Sequence, residues 1–183
     1  RANITIVNAP PKITGVDIGP TNPTVNDRLT CASVGYSDPD GDAEASKYTW
    51  KKGSVVLGTG PSLTSGFKKR DVITCEVTPN DGSVDGPTLS ANITIGNAPP
   101  KITGVDIGPT NPTVSDRLTC ASVGYSDPDG DTEASTYIWK NGSVVLGTGP
   151  TLASGFKKRD VITCEVTPND GDDSGAPLSA TIT

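Results

Sequence analysis

Two cysteines with a tryptophan between them, repeated once along the chain, restrict the possible folds more than any other feature of the sequence. The two sets have the same internal spacing and comprise Cys31, Trp50 and Cys75, then Cys120, Trp139 and Cys164. Each second cysteine lies in a run of alternating apolar and polar residues, the pattern of a half-buried strand. We interpret each set as the centre of a small β-sandwich, in which a disulfide ties two strands and the indole packs against it.

A comparison of the chain with itself shows that it consists of two copies of one unit. Shifted by about 89 positions, residues 10–94 and 99–183 agree at roughly 85 per cent of positions without a gap. We therefore expect one repeat over residues 8–96 and a second over 97–183, each large enough for one sandwich core. Residues 1–7 match residues 90–96, so they form the last strand of a preceding repeat or a strand donated to a neighbouring chain.

Short runs rich in Val, Ile and Thr, separated by glycine and proline, predict about seven strands in each repeat and no helix. In the last strand we expect Leu89, Ala91, Ile93 and Ile95 to face inward, because side chains alternate along a strand. Residues 8–11 and 97–100 read Asn-Ala-Pro-Pro, and their paired prolines favour a short, stiff linker. The predicted fold class is all-β, with two tandem sandwiches and one disulfide in each.

Charge and composition exclude several classes of function. The net charge of −6 argues against nucleic-acid binding, which needs a basic face. No apolar run approaches the roughly 18 residues of a membrane-spanning helix, so we expect no membrane insertion. Two cysteines at matching places in each repeat favour disulfides and an oxidising, extracellular or cell-surface compartment. The cysteines show no C-x-x-C spacing of the kind that binds zinc.

Several motifs resemble a known family. The order Cys31, Trp50, Cys75 and the run Tyr-Thr-Trp-Lys-Lys-Gly-Ser-Val-Val-Leu over residues 48–57 resemble an immunoglobulin-like domain. The loops Asp-Pro-Asp-Gly-Asp and Val-Thr-Pro-Asn-Asp-Gly resemble tandem bacterial-type immunoglobulin-like repeats, of the cadherin-like or adhesin type, in large microbial surface and fibre proteins. This resemblance implies an immunoglobulin-like sandwich fold and a role in stalks, adhesin shafts or fibres.

Carboxylates are concentrated in one loop of each repeat and predict a structural Ca²⁺ site. Alternating Asp residues around a glycine bring oxygen atoms together, and Ca²⁺ prefers six to eight oxygen ligands. In an immunoglobulin-like sandwich a second loop, with an Asn-Asp pair, shares that end of the domain, and the linker arrives there too. The expected ligands are Asp38, Asp40, Asp42, Asn80 and Asp81, with Asp127, Asp129, Asp131, Asn169 and Asp170 in the second repeat. A solvated Asp/Gly turn without a metal is the alternative.

Three sequence positions match the acceptor pattern for N-glycosylation, namely Asn3, Asn92 and Asn141. Strand alternation places Asn92 on the outward face, where a glycan would not disturb the core. Glycosylation at these positions is one interpretation. The alternative is that a three-residue pattern has arisen by chance, or that the source lacks the glycosylation machinery.

The leading strand has no sandwich of its own to complete within this chain. Its apolar residues Ile4 and Ile6 are predicted to contact a neighbouring subunit, because an unpaired apolar strand pairs readily with a sheet edge. Such a head-to-tail contact does not close on itself. The alternative is that the strand continues from a preceding repeat in one polypeptide.

These features favour a structural repeat segment of an extracellular fibre, stalk or surface protein, whose partners are copies of itself or neighbouring repeats in a linear array. The alternative is an adhesin-type module whose loops bind a glycan or a protein. Catalysis is not expected, because the sequence contains no histidine and its cysteines are predicted to be oxidised. Apart from Ca²⁺, no cofactor is expected.

Overall fold

The computed structural model describes residues 2–183, which contain fourteen strands. The chain divides into two compact units, the first ending at Gly96 and the second spanning Asn97–Thr183. Unit 1 contains β1 (Gly15–Gly19), β2 (Leu29–Val34), β3 (Lys47–Lys52), β4 (Val55–Thr59), β5 (Ser62–Leu63), β6 (Val72–Thr78) and β7 (Leu89–Thr94). Unit 2 contains β8 (Gly104–Gly108), β9 (Leu118–Val123), β10 (Thr136–Asn141), β11 (Val144–Thr148), β12 (Thr151–Leu152), β13 (Ile162–Thr167) and β14 (Leu178–Ile182).

Each unit is a sandwich of one three-stranded and one four-stranded antiparallel sheet. In unit 1 the strand orders are β1-β2-β5 and β4-β3-β6-β7, and in unit 2 they are β8-β9-β12 and β11-β10-β13-β14. These are tandem immunoglobulin-like domains, as the sequence predicted. Within the described residues no helix has the length and hydrophobicity to span a bilayer.

A disulfide and a tryptophan form the centre of each core. The Cys31–Cys75 bond joins β2 of one sheet to β6 of the other, and Trp50 pairs with Cys75 across β3 and β6. The Trp50 side chain is fully buried, and its Nε1–H donates to the carbonyl oxygen of Gly60 at 3.0 Å. Because the one polar group of the indole has a partner, burying it carries no hydrogen-bonding penalty.

The same arrangement recurs in unit 2. Cys120 and Cys164 form the second disulfide, Trp139 pairs with Cys164, and Trp139 Nε1–H donates to Gly149 at 3.0 Å. Each disulfide closes a loop of 44 residues, which in the chain-entropy model stabilises the unit by about 4 kcal/mol. The predicted fold class, with one disulfide in each sandwich, is therefore confirmed.

One residue of the last strand is less covered than the alternation suggests. Ala91, Ile93 and Ile95 are half-buried or buried, but Leu89 is 37% exposed. Leu89 is the first residue of β7, at the end of the sheet, so the inward side of the strand is not fully covered there. Alternation predicts the side of a sheet on which a residue lies, not how far the opposing sheet extends.

Candidate cation site at the linker end of each sandwich

The first acidic loop, residues 38–42, is held in shape by one carboxylate. Asp38 Oδ1 accepts the backbone N–H of Asp40 at 2.8 Å and that of Asp42 at 3.1 Å. Gly41 has a φ of 81°, a left-handed conformation that glycine adopts without strain. The turn therefore directs the aspartate side chains to one side, where ligand oxygens of Asp38, Asp40 and Asp42 lie within 4.8 Å of one another.

The corresponding loop of unit 2 has the same construction. Asp127 Oδ1 accepts the backbone N–H groups of Asp129 and Asp131, both at 2.9 Å. Ligand oxygens of these three residues also lie within 4.8 Å of one another. Since two independent copies of the sequence give one geometry, the local sequence and its turn determine it.

The adjacent loop, residues 80–85, carries a second aspartate that is tied to its own backbone. Asp81 is 9% exposed, and its Oδ1 accepts the N–H groups of Ser83 and Val84, both at 2.7 Å. Hydrogen bonds from the Val84 backbone, the Asn8 side chain and the Ser83 backbone hold the pKa of the Asp81 carboxyl below its usual value. Asp81 is therefore ionised at neutral pH.

In unit 2 the corresponding aspartate, Asp170, is bound to the backbone of its own loop in the same way. Partial burial raises its pKa, but hydrogen bonds from the Asn97 side chain and from the backbone of Asp173 and Asp172 outweigh this and lower the pKa to about 2. This end of the sandwich thus carries a concentration of fixed negative charge, which attracts a cation.

The linker joins the two loops of its own sandwich. In unit 1, Asn8 Nδ2 donates to Asp81 Oδ2 and the Ala9 backbone N–H donates to Asp40 Oδ2, both at 2.7 Å. The following residue but one, Pro11, is fully buried. Hydrogen bonds therefore hold the first residues of the repeat on both loops.

The unit 2 linker makes the same bonds and one more. Asn97 Nδ2 donates to Asp170 Oδ2 at 2.8 Å and to Asp173 Oδ2 at 3.0 Å. The Ala98 backbone N–H donates to Asp129 Oδ2 at 2.7 Å. The Asn-Ala-Pro-Pro motif is thus a docking sequence for the two acidic loops.

Four oxygen atoms at these sites are fully buried and lack a hydrogen-bond partner. They are Asp38 Oδ2 in unit 1 and Asp127 Oδ2, Asp129 Oδ1 and Asn97 Oδ1 in unit 2. A buried carboxylate oxygen without a donor is costly, whereas a hard cation satisfies several such oxygens together. The residues present therefore fit a Ca²⁺ ion, and most clearly so in unit 2.

Several residues take part in the site although the sequence did not predict them as ligands, and one neighbouring acid does not belong to it. Asn97, the Ala98 backbone and Asp173 take part in the network; the recurrence of Asn-Ala-Pro-Pro was the signal for the first two. Glu44 follows the acidic loop closely in sequence, but its Oε1 accepts the hydroxyls of Ser33 and Ser46. The Glu44 carboxylate is therefore bound to these serines rather than to the acidic loop.

The three candidate glycosylation positions differ in accessibility. Asn3 and Asn92 are exposed, whereas Asn141 is half-buried at the end of β10. The Asn92 side chain lies on the outward face of β7, where its Oδ1 accepts the Thr74 hydroxyl at 2.8 Å. Glycosylation at these positions stays a prediction.

The leading segment, residues 2–7, presents apolar side chains to solvent. Ile4, Ile6 and Val7 are 89%, 83% and 77% exposed, and residues 2–7 are in no strand. Scattered exposed apolar residues are ordinary on a protein surface, but three within four consecutive positions form an unusual run. The inter-subunit role predicted for Ile4 and Ile6 is untested by this arrangement.

No protein-family model matches the chain, and none of the curated proteins matches it. Among solved structures, a two-domain fibronectin type III segment of chicken tenascin is similar over 93% of this chain and 98% of that one, with 8% identity and a TM-score of 0.48. The FN1–FN3 domains of chicken CNTN1 are similar over 96% of this chain and 68% of that one, with 14% identity and a TM-score of 0.37.

Three N-terminal domains of the highly immunogenic outer capsid protein of bacteriophage RB49 are similar over 94% of this chain and 68% of that one, with 16% identity and a TM-score of 0.41. All of these are multi-domain segments. At such low identities, and with TM-scores below 0.5, they carry no argument about fold or function.

Proposed function

We propose that this chain is a structural repeat segment of an extracellular fibre, stalk or surface protein, in a linear head-to-tail array and without catalytic activity. The observation that carries the proposal is the linker, which in both units is fastened to both acidic loops of its own sandwich. Because these hydrogen bonds hold the first residues of each repeat on its sandwich, the chain enters each sandwich in a fixed direction. A flexible entry would let successive sandwiches swing.

The distribution of aromatic residues favours this role over the adhesin alternative. Every aromatic side chain in residues 2–183 is buried or half-buried, and Trp50 and Trp139 are fully buried. Exposed rigid aromatics are the usual anchors of a binding surface. Reproducible binding of the two-repeat protein on a glycan array would instead favour the adhesin.

Single-molecule stretching tests the structural role. A repeat of about 89 residues contains a closed loop of 44, so an oxidised unit should lengthen by about 160 Å of contour when it unfolds, at roughly 3.6 Å per residue. Reduction should roughly double that step, because the loop is then released. Extension of the oxidised chain without discrete force peaks would contradict a load-resisting role.

We further propose that Ca²⁺ binds at the acidic loops and stiffens the linker. The predicted ligands whose oxygens lie together are Asp38, Asp40 and Asp42 in unit 1 and Asp127, Asp129 and Asp131 in unit 2, and the buried oxygens of Asp127, Asp129 and Asn97 form the better-defined site. The other predicted ligands, Asn80, Asp81, Asn169 and Asp170, accept N–H groups of their own loop or of the linker instead. A bound ion would supply positive charge where several carboxylates now lie together. Because it would bind only the folded arrangement, it would also raise the stability of the unit.

Calorimetric titration of calcium-stripped protein tests this second proposal. We expect saturable heat with one ion per repeat, and loss of the unit 2 site in Asp129→Asn. The matched control is Glu133→Gln, because the Glu133 carboxylate accepts the hydroxyls of Ser122 and Ser135 instead. Absence of heat up to millimolar Ca²⁺, or an equal effect of both substitutions, would overturn it.

A further inference from the structure

Each sandwich carries opposite charges at its two ends. In unit 1 the acidic loops follow β2 and β6, whereas residues 68–70, which read Lys-Lys-Arg, precede β6. Because β6 has seven residues, which rise by about 3.3 Å each, roughly 20 Å separate the two charged ends. Unit 2 has the same arrangement, with a basic turn at residues 157–159 before β13.

The basic turn of unit 2 presents its side chains from a fixed backbone. Asp160 Oδ2 accepts the Lys157 N–H at 2.8 Å, and the Asp160 N–H donates to the Lys157 carbonyl oxygen at 3.1 Å. Phe156, directly before the turn, packs against the core of unit 2. Lys157, Lys158 and Arg159 are all exposed. The backbone of the turn is therefore already ordered, which lowers the entropy cost of binding a partner.

Arg159 has a backbone conformation that disfavours a side chain. Its φ is 74°, and the φ of its counterpart Arg70 is 69°. In residues 2–183 no other residue except glycine has a positive φ. Glycine would adopt this conformation without strain, so an arginine at both places is unfavourable for folding. Such an outlier points to a use for the arginine side chain.

The acidic end of unit 1 offers a surface of matching charge. Asp40 and Asp42 are exposed, and the buried Oδ2 of Asp38 has no hydrogen-bond donor. Lys47, on the strand that follows the loop, pairs with Asp85 at 2.7 Å and so does not neutralise these three aspartates. A cluster of cations on another molecule is therefore a complementary partner for this end.

We propose that the basic turn of unit 2 in one copy of this chain binds the acidic loop of unit 1, residues 38–42, in a second copy. Lys158 and Arg159 contact Asp40 and Asp42. The proposal rests on the head-to-tail array proposed above and names a contact that orients it.

The contact gives the array a direction. Because the two surfaces differ, each copy can bind one neighbour through its basic turn and another through its acidic loop, which gives an open chain. In the reverse orientation like charges would meet, and this repulsion disfavours a mixed array. A single exposed ion pair strengthens an association only about two- to fivefold, so repetition along the array has to supply the rest of the affinity.

Carbodiimide cross-linking of the full chain tests the proposal, because this reagent joins an amine to a carboxylate only where the two are in contact. Unlabelled and ¹⁵N-labelled protein are mixed in equal amounts at millimolar concentration, with a chelator present so that the loop holds no Ca²⁺. We expect cross-links of mixed label from Lys158 to Asp40 or Asp42. The pair of Lys51 and Glu76, 2.6 Å apart within unit 1, is the internal standard and should give cross-links of single label only.

Each cross-link is assigned to its unit by mass. The acidic-loop peptide contains Ala43 in unit 1 and Thr132 in unit 2, and the peptide before the basic turn contains Thr64 or Ala153. Raising the salt from 0.1 to 1 M shortens the Debye length from about 10 Å to about 3 Å, so the mixed-label yield should fall at least about fivefold. The internal standard is half-buried and should change less.

Matched variants make the test specific. Arg159→Gly should lower the mixed-label yield about two- to fivefold without lowering the free energy of unfolding, because it removes a charge and a strained side chain together. Arg159→Lys keeps the charge and should retain the yield. Asp42→Asn should also lower the yield, whereas Asp17→Asn, the same change at an exposed position on β1, should not.

Absence of mixed-label cross-links, a yield unaffected by salt or by Arg159→Gly, or an equal effect of Asp42→Asn and Asp17→Asn would each overturn the contact. Binding of a sulfated polysaccharide that is lost in Arg159→Gly, without cross-links between copies, would assign the basic turn to that ligand instead and overturn it as well. The stretching experiment measures single chains and is independent of these outcomes. Failure of this contact is therefore distinguishable from failure of the proposed structural role.

Discussion

The burial of Ile95 in the core of unit 1 predicts a defined loss of stability when this residue is truncated to alanine. Its side chain is 1% exposed and belongs to the core cluster of Trp50 and Ile73. Truncation of a buried isoleucine to alanine costs about 2–5 kcal/mol, the sum of lost transfer energy and the remaining cavity. The backbone bonds of residue 95 need no side chain, so the loss should come from packing alone and be confined to unit 1.

Hydrogen exchange with mass spectrometry in increasing denaturant measures the stability of each unit separately, because peptides that contain β6 report on unit 1 and peptides that contain β13 report on unit 2. In Ile95→Ala we expect the free energy of opening measured from the β6 peptide to fall by about 2–5 kcal/mol, while that of the β13 peptide is unchanged. The matched control is Ile6→Ala at low protein concentration, which alters an 83% exposed side chain and should change neither by more than about 0.5 kcal/mol. A loss below about 1 kcal/mol in β6 would refute the assignment of Ile95 to the core of unit 1.

Three further outcomes are expected. Reduction of both disulfides should lower the free energy of unfolding of each unit by about 4 kcal/mol, and a loss below about 1 kcal/mol in denaturant titrations would contradict the entropic argument. Hydrogen bonds from the Thr24 backbone and hydroxyl hold the pKa of Asp27 below its usual 3.8, so Thr24→Val should raise that pKa in an NMR titration while the pKa of Asp116 is unaffected. Because the folded pKa is lowered, Asp27 stabilises the fold above about pH 3.8, and this contribution is lost as the pH falls through the lowered value. Gly86→Ala would place a methyl group against the Pro11 carbonyl oxygen, so amide exchange in the docked linker should accelerate, and an unchanged rate would show that the linker is not held there.

The architecture was predictable because its determinants are local and periodic. The alternation in residues 72–77 and the repeated Cys–Trp–Cys order indicate strands and their inward faces. Pairing of Trp50 with Cys75 follows from the common fold that such an order favours. The exposure of Leu89 was not predictable, because it depends on where the opposing sheet ends.

The candidate cation site was only partly predictable, since its side chains lie on loops. The aspartates of the acidic loops were identifiable from composition and spacing. Other contacts join segments that are distant in sequence. Glu44 accepts the hydroxyl of Ser33 as well as that of Ser46, and Asn97 donates to both Asp170 and Asp173. Spacing along the chain does not specify such contacts.

An image of the native assembly at side-chain resolution shows whether the repeats form a linear array. We expect sandwiches of this kind repeated end to end along one line, each with its Asn-Ala-Pro-Pro segment lying on its own acidic loops. Sandwiches displayed singly, with a ligand held between those loops in place of the linker, would contradict it.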